Sequence, residues 1–230
     1  MTFAKIEHAL TAFRSGEFLV VVDDAGRENE GDLIISAQCA TPEATGFMVR
    51  YTSGLICVAL APERVDALQL PLMVEHNSES HSTAFTVSVD LKHGTTTGIS
   101  ADDRSATIRA LADNGRGPQD FVRPGHVFPL RYAHGGVLQR PGHTEAAVDL
   151  ALLAGHPGAG ALCEIVNDDG SMARLPELRS FAAHHGFLVV SIADLIAYRK
   201  RTEAWSRSTL TRPRPPAAHS GVLPPDRSMN

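Results

Sequence analysis

The chain has 230 residues, 43% hydrophobic and 20% charged, enough to bury one sizeable core as a single domain. Twenty-six acidic residues against 21 basic ones give a formal net charge of -5 with no long basic run, which argues against nucleic acid as a main partner. No stretch approaches the roughly 18 apolar residues of a membrane helix, and the N-terminus lacks a signal peptide's apolar block; a cytoplasmic protein without membrane contact is expected.

Phe3, Ile6, Leu10 and Phe13 recur at helical spacing, and Gly16 follows where a helix would close. FLVVVD (18–23) and LIISA (33–37) read as buried strands joined by a very polar loop. Thr41-Pro42-Glu43 predicts a helix start, with a hydroxyl cap, a first-turn proline and an acid at the positive dipole end. LICVALA (55–61) and AFTVSVD (84–90) are two further strands, the second with half-exposed alternation. Ser100 and Asp103 form a capping-box pattern for a helix running to Asn114-Gly115. A stretch punctuated by proline and glycine (RPGHVFPL, then GGVLQRPGH) precedes the helix TEAAVDLALLAG. Strand ALCEIVN (161–167), the turn DDGS, helix LPELRSFAAHHG, strand FLVVSI and helix ADLIAYRKR complete the pattern. Strands and helices alternate without a strict βαβ rhythm, so the expected class is α+β: one layered domain over residues 1–205, a mixed β-sheet flanked by helices. Residues 213–225 hold five prolines and almost no large apolar group, and residues 206–230 are expected to be a disordered tail.

Cys39, Cys57 and Cys163 are odd in number and widely spaced, so reduced thiols are expected rather than disulfides or a zinc ribbon. The chain has no P-loop, no GxGxxG after a strand, no GxSxG elbow and no HExxH, which lowers nucleotide hydrolysis, dinucleotide redox and serine hydrolysis. Loop 23–32, DDAGRENEGD, gathers Asp23, Asp24, Glu28, Glu30 and Asp32 around Arg27. Five mutually repelling carboxylates at a sheet end suit a divalent cation or a polyhydroxylated ligand, and hard oxygen donors favour Mg²⁺ or Mn²⁺. In RPGHT (140–144), Arg140, Gly142, His143 and Thr144 surround a helix start, where unpaired N–H groups attract anions such as a sugar phosphate. His143 is also a candidate metal ligand; the plain alternative is that Gly142 or Thr144 only caps the helix. His126 fits a core or edge histidine as readily as a functional one. Glu164, inside an apolar strand pattern, would cost several kcal/mol to bury unpaired, which marks it as a candidate acid or base with a raised pKa.

Together DDAGRENEGDLI, LPLMVEHN, TAFTVSVD, TTGISADDR, RPGHVFPLR, GGVLQRPGHTEAAVDLALLAG and CEIVNDDGSMAR resemble, in the same order over about residues 4–200, the 3,4-dihydroxy-2-butanone 4-phosphate synthases of riboflavin biosynthesis. The resemblance implies a lyase that converts D-ribulose 5-phosphate to L-3,4-dihydroxy-2-butanone 4-phosphate and formate. It also implies Mg²⁺ or Mn²⁺, two ions per subunit with substrate bound, and a homodimer with active sites near the subunit interface. Carried over, Arg27, Glu28, Asp32, Arg140, Pro141, Gly142, His143, Thr144 and Glu164 are substrate contacts. Glu28 and His143 become the metal ligands, and His126 and Glu164 the catalytic residues. The remaining readings are a sugar-phosphate isomerase that stops at the enediolate, and a binding protein without turnover.

Overall fold

The computed structural model describes residues 2–210, with side chains through residue 203. Seven strands form one mixed sheet. They are β1 (Leu19–Val22), β2 (Gly31–Ser36), β3 (Cys57–Leu60), β4 (Val89–Leu91), β5 (Phe121–Arg131), β6 (Ala159–Glu164) and β7 (Leu188–Ser191), in spatial order β4-β5-β3-β6-β2-β1-β7. β1 and β2 are an antiparallel hairpin, and β6 runs antiparallel to both β2 and β3. The β1/β7 and β3/β5 pairs are parallel, which requires the helical crossovers.

Helices cover both faces, and strand alternation decides which side chain meets which layer. Val20, Val22, Leu33, Ile35, Val58 and Cys163 share a core with Met48 of α2 (Pro42–Tyr51), Ile108 and Leu111 of α4 (Ala101–Ala112), and Leu178 of α6 (Leu175–His185). Leu19, Val21, Ile34, Cys57 and Leu162 point the other way. They pack on Phe13 of α1 (Ile6–Arg14), Leu150 of α5 (His143–Leu153) and Leu195 of α7 (Ile192–Leu210). Each fully buried leucine or isoleucine contributes about 1.5–3 kcal/mol relative to exposure, so the two-sided core holds the sheet rigid. Thr41 and Ser100 cap α2 and α4 as expected, accepting from the N–H groups of Ala44 and Asp103, and Gly186 closes α6 in the left-handed region. A short helix, α3 (Pro62–Ala67), has too few residues to show a period and was not expected.

Two expectations change. The stretch RPGHVFPL lies inside β5, the longest strand. Pro124 precedes the parallel ladder with β3, which begins at Phe128, and Pro129 supplies its carbonyl to Thr86, so neither proline breaks a needed bond. Conversely, AFTVSVD is mostly not a strand. Phe85 and Thr86 make isolated bridges, and regular pairing begins only at Val89, where the register shifts. There the backbone of Gly125 lies so close that an added Cβ would stand 2.0 Å from the Val89 carbonyl carbon. α7 stays helical through Leu210, so its end overlaps the segment expected to be disordered; residues 211–230 lie outside the described residues.

Candidate active site

The polar residues singled out in the sequence gather largely at one end of the sheet. The register of β1 and β2 pairs Val22 with Gly31, which makes residues 23–30 the connection of a hairpin. This loop is organised by one of its own acids. The Asp23 carboxylate accepts from the N–H groups of Glu28 and Glu30, both at 2.9 Å, and from the Arg27 guanidinium at 3.1 Å. Asp24 accepts from the N–H of Gly26. Two of the five carboxylates are therefore spent on the backbone, which leaves Glu28, Glu30 and Asp32 for other partners.

Glu28 meets the first residue of α5. Its Oε2 lies 3.2 Å from Nδ1 of the buried His143 and 2.8 Å from Nη1 of Arg27. The other ring nitrogen of His143 donates to the Val21 carbonyl at 3.2 Å, which fixes the ring and aims Nδ1 at Glu28 and at Asp32 Oδ1, 3.8 Å away. Burial opposes charge on His143, but Asp32, Glu28 and Asp23 outweigh it and raise its pKa to about 9. Burial likewise works against ionised Glu28, yet His143 and Arg27 hold its carboxyl at about 2.

Asp32, on β2, is only 4% exposed, and its Oδ1 has no hydrogen-bond partner. Burial first, then the neighbouring acids Glu164, Glu28 and Glu30, pushes it up to about 7 although His143 pulls the other way. Directly across the ladder from Asp32 stands Glu164, whose Oε2 accepts from Ser53 Oγ at 2.9 Å. Glu164 is half-buried and is the last residue of β6, not a mid-strand residue, so the burial argument made for it from sequence belongs to Asp32 instead.

The mouth of α5 is built from RPGHT. Gly142 is the N-cap and no side chain caps the helix; Thr144 is buried in its first turn, while Pro141 is exposed. Arg140 is not a free fork. Its guanidinium pairs with Glu145 at 2.6 Å and donates to the His81 carbonyl and Thr83 Oγ1, tying a distant loop to the helix start. An added Cβ on Gly142 would stand 2.5 Å from Arg140 Nη1 and 3.0 Å from Arg27 Nη2, so the two guanidinium ends converge on this glycine and would have to move aside for any larger residue.

His126 stands apart from this group. Relative to Cys57 of β3, it and Glu164 lie at the same level of the sheet but two strand spacings apart, roughly 10 Å between backbones. Its Nδ1 lies 2.7 Å from Asp90 Oδ2, and its N–H donates to Asp90 Oδ1 at 2.9 Å, leaving Nε2 as the outward nitrogen. The TTGISADDR block explains itself here. Asp103 accepts from Thr96 and from the N–H of Gly98, and Gly98, at φ 92°, crosses directly over the pair; a Cβ there would lie 2.0 Å from Asp90 Oδ2.

Sequence reasoning missed Asp90 and Ser53 and gave Asp23 no separate role. An acid closing the alternating TVSVD pattern was a usable signal for Asp90; Ser53 carried none. Cys39, Cys57 and Cys163 are free thiols, and burial pushes Cys163 up to about 11 and raises Cys57, so neither buried sulfur is primed as a nucleophile.

As a donor set, Glu28 and His143, with Asp23 in reach, place one oxygen or nitrogen each within 4.8 Å of one another. Carboxylate and imidazole donors beside a buried carboxylate oxygen without a hydrogen-bond partner fit a hard divalent cation.

A family model described as 3,4-dihydroxy-2-butanone 4-phosphate synthase matches residues 7–198. A curated 3,4-dihydroxy-2-butanone 4-phosphate synthase of Agrobacterium fabrum is 58% identical over 200 residues, covering 87% of this chain and 94% of that protein. A bifunctional riboflavin biosynthesis protein of Arabidopsis thaliana, chloroplastic, is also 58% identical, but this chain spans only 37% of its length. Among solved structures, a 3,4-dihydroxy-2-butanone 4-phosphate synthase in complex with two magnesium ions superposes with a TM-score of 0.85 at 50% identity, covering 87% of this chain and 99% of the other. With the match running through the acidic loop, β5 and α5 alike, the chain belongs to the 3,4-dihydroxy-2-butanone 4-phosphate synthase family.

Proposed function

We propose that the chain converts D-ribulose 5-phosphate to L-3,4-dihydroxy-2-butanone 4-phosphate and formate, with Glu28 and His143 as ligands to Mg²⁺ or Mn²⁺. The observation that carries this reading is the meeting of the acidic loop and the α5 mouth, with Glu28 Oε2 3.2 Å from His143 Nδ1. A bound divalent ion supplies positive charge for the ketose oxygens. Two ions per subunit with substrate bound is the working stoichiometry, which the related complex with two magnesium ions supports.

The protein's own groups do the rest. The substrate's atoms are redistributed between the two products without an oxidant or reductant, so the protein has to orient the ketose and move protons. Arg27, Asp32 and the Arg140–Thr144 segment bind the sugar and phosphate, the α5 amides and Thr144 facing the anion while Arg140 and Gly142 shape the mouth. Remote phosphate binding orients the reacting carbons. Asp32 is buried beside the ion's ligands and Glu164 stands next to it across the ladder; this pair exchanges protons with carbons 1 to 3. His126, with Asp90 fixing its ring, serves a later proton transfer through Nε2.

The working assembly is a homodimer. Leu72, Met73 and Val74 are exposed beside the loop that Arg140 ties to α5, and a second copy would cover them. No helix among the described residues is long and apolar enough to cross a membrane, and a cytoplasmic enzyme without nucleic-acid partners fits the acidic charge. The test is incubation of the protein with D-ribulose 5-phosphate and Mg²⁺ while formate is followed. Equimolar formate, abolished by EDTA and restored by Mg²⁺, is expected; isomeric pentulose phosphates without formate would refute the assignment.

A further inference from the structure

The loop that carries Glu28 does not hold its shape alone. Asp23 ties it from within, but Glu28, Glu30 and Asp32 repel one another, and Asn29 sits in the left-handed region at φ 55° without being glycine. From outside, the loop is gripped by the start of α6. Gly31 lies under Leu178 so closely that a Cβ would stand 2.5 Å from Leu178 Cδ1. One turn earlier stands Arg174, the N-cap of α6, whose N–H donates to Glu177 at 3.1 Å. Its Nη1 donates to the Glu28 carbonyl at 3.1 Å and also to the Asn29 carbonyl, and lies 3.8 Å from Glu30 Oε1. One charged nitrogen thus holds two successive peptide carbonyls, and its charge offsets repulsion among the acids.

We propose that Arg174 is a positioning residue for the ion ligand Glu28: by clamping the carbonyls of Glu28 and Asn29, it sets the direction in which the Glu28 carboxylate reaches His143. This rests on Glu28 and His143 being the ion's ligands. Arg174 touches neither the ion nor the substrate. Supporting groups of this kind typically change metal affinity by about 10–100-fold. Lysine can bring one charged nitrogen to the same carbonyls, but as a strongly hydrated point charge on a flexible stem it holds them less firmly.

The experiment is titration of the full chain with Mn²⁺, followed by electron paramagnetic resonance of the free ion, for wild type, Arg174→Met, Arg174→Lys, Leu178→Ala and Glu28→Gln. Melting temperatures are recorded for each. R174M is expected to weaken Mn²⁺ binding about tenfold or more. R174K should recover part of that, and L178A, which loosens α6 without touching the carbonyls, should lower the melting temperature with little change in affinity. Activity of R174M at low Mg²⁺ should fall and recover as Mg²⁺ is raised. Wild-type Mn²⁺ affinity in R174M overturns the proposal, as does an equal loss in L178A, which would trace the effect to a loosened helix. If R174M does not fold, Arg174→Gln, which removes the charge and most of the reach, carries the test, with at least about a threefold loss expected and unchanged affinity contradicting the clamp. Unchanged affinity in E28Q would show the ion to lie elsewhere, and the clamp would fall with the ligand assignment; lost affinity in E28Q but not in R174M would remove the clamp alone.

Discussion

Proton and divalent ion compete for the same nitrogen, so ion affinity must rise with pH. Both ring nitrogens of His143 face acceptors, the Glu28 carboxylate and the Val21 carbonyl, and the acids around the ring raise its pKa to about 9. Binding an ion through Nδ1 below that pH expels one proton, so the apparent association constant climbs about tenfold per pH unit and levels off above about 9. Between about pH 7 and about pH 8.5 the gain is on the order of thirtyfold. Below about 7, where Asp32 also holds a proton, the cation favours its ionised form and a second proton is released, steepening the dependence.

Stability of the ion-free protein runs the opposite way. The folded pKa of His143 lies above the ordinary value of 6.5, so its contribution is fully present below 6.5 and is lost as pH rises through about 9. Asp32, also raised, removes stability as pH climbs from 3.8 through about 7. Glu28, depressed to about 2, contributes above 4.5 and loses that contribution as pH falls through about 2. Isothermal titration with Mn²⁺ in two buffers of different ionisation enthalpy counts the protons released, and thermal melts with and without ion follow the stability. A proton count near zero, or an affinity that stays flat from about pH 7 to about pH 8.5, would refute the competition at His143.

Replacing His126 with alanine should lower turnover by about a hundredfold or more while leaving Mn²⁺ affinity intact, as expected for an acid or base outside the ion site; an equal loss of ion binding would contradict that separation. Asp90→Asn should lower turnover with Mn²⁺ affinity unchanged, because the ring loses the carboxylate that fixes Nδ1 as donor; wild-type turnover would remove Asp90 from the mechanism. Gly98→Ala forces a Cβ to within 2.0 Å of Asp90 Oδ2 and should lower both melting temperature and turnover, by about 1–3 kcal/mol in stability, with an unchanged melting temperature contradicting the close crossing.

The sequence pattern revealed the acidic loop and the α5 mouth because both place many polar groups beside strongly apolar strands, a combination with few structural explanations. It did not reveal which acid is buried. Asp32 looks like loop in RENEGD but is the second residue of β2, while Glu164 looks central because the apolar letters continue through Ile165 and Val166 after the strand has ended. The length of β5 was hidden by its prolines, which are harmless where they stand, and β4 was overextended because alternation does not show where a partner strand stops. Side-chain braces such as Asp23 on the loop backbone, Asp90 on His126 and Ser53 on Glu164 depend on distant pairings that no local pattern encodes.

The most direct measurement is an anomalous difference map from crystals of the protein soaked in Mn²⁺. A peak within bonding distance of both Glu28 and His143 Nδ1 is predicted. A protein that binds Mn²⁺ with its peak elsewhere, and with the Glu28–His143 hydrogen bond undisturbed, would contradict the assignment of these two residues as the ion's ligands.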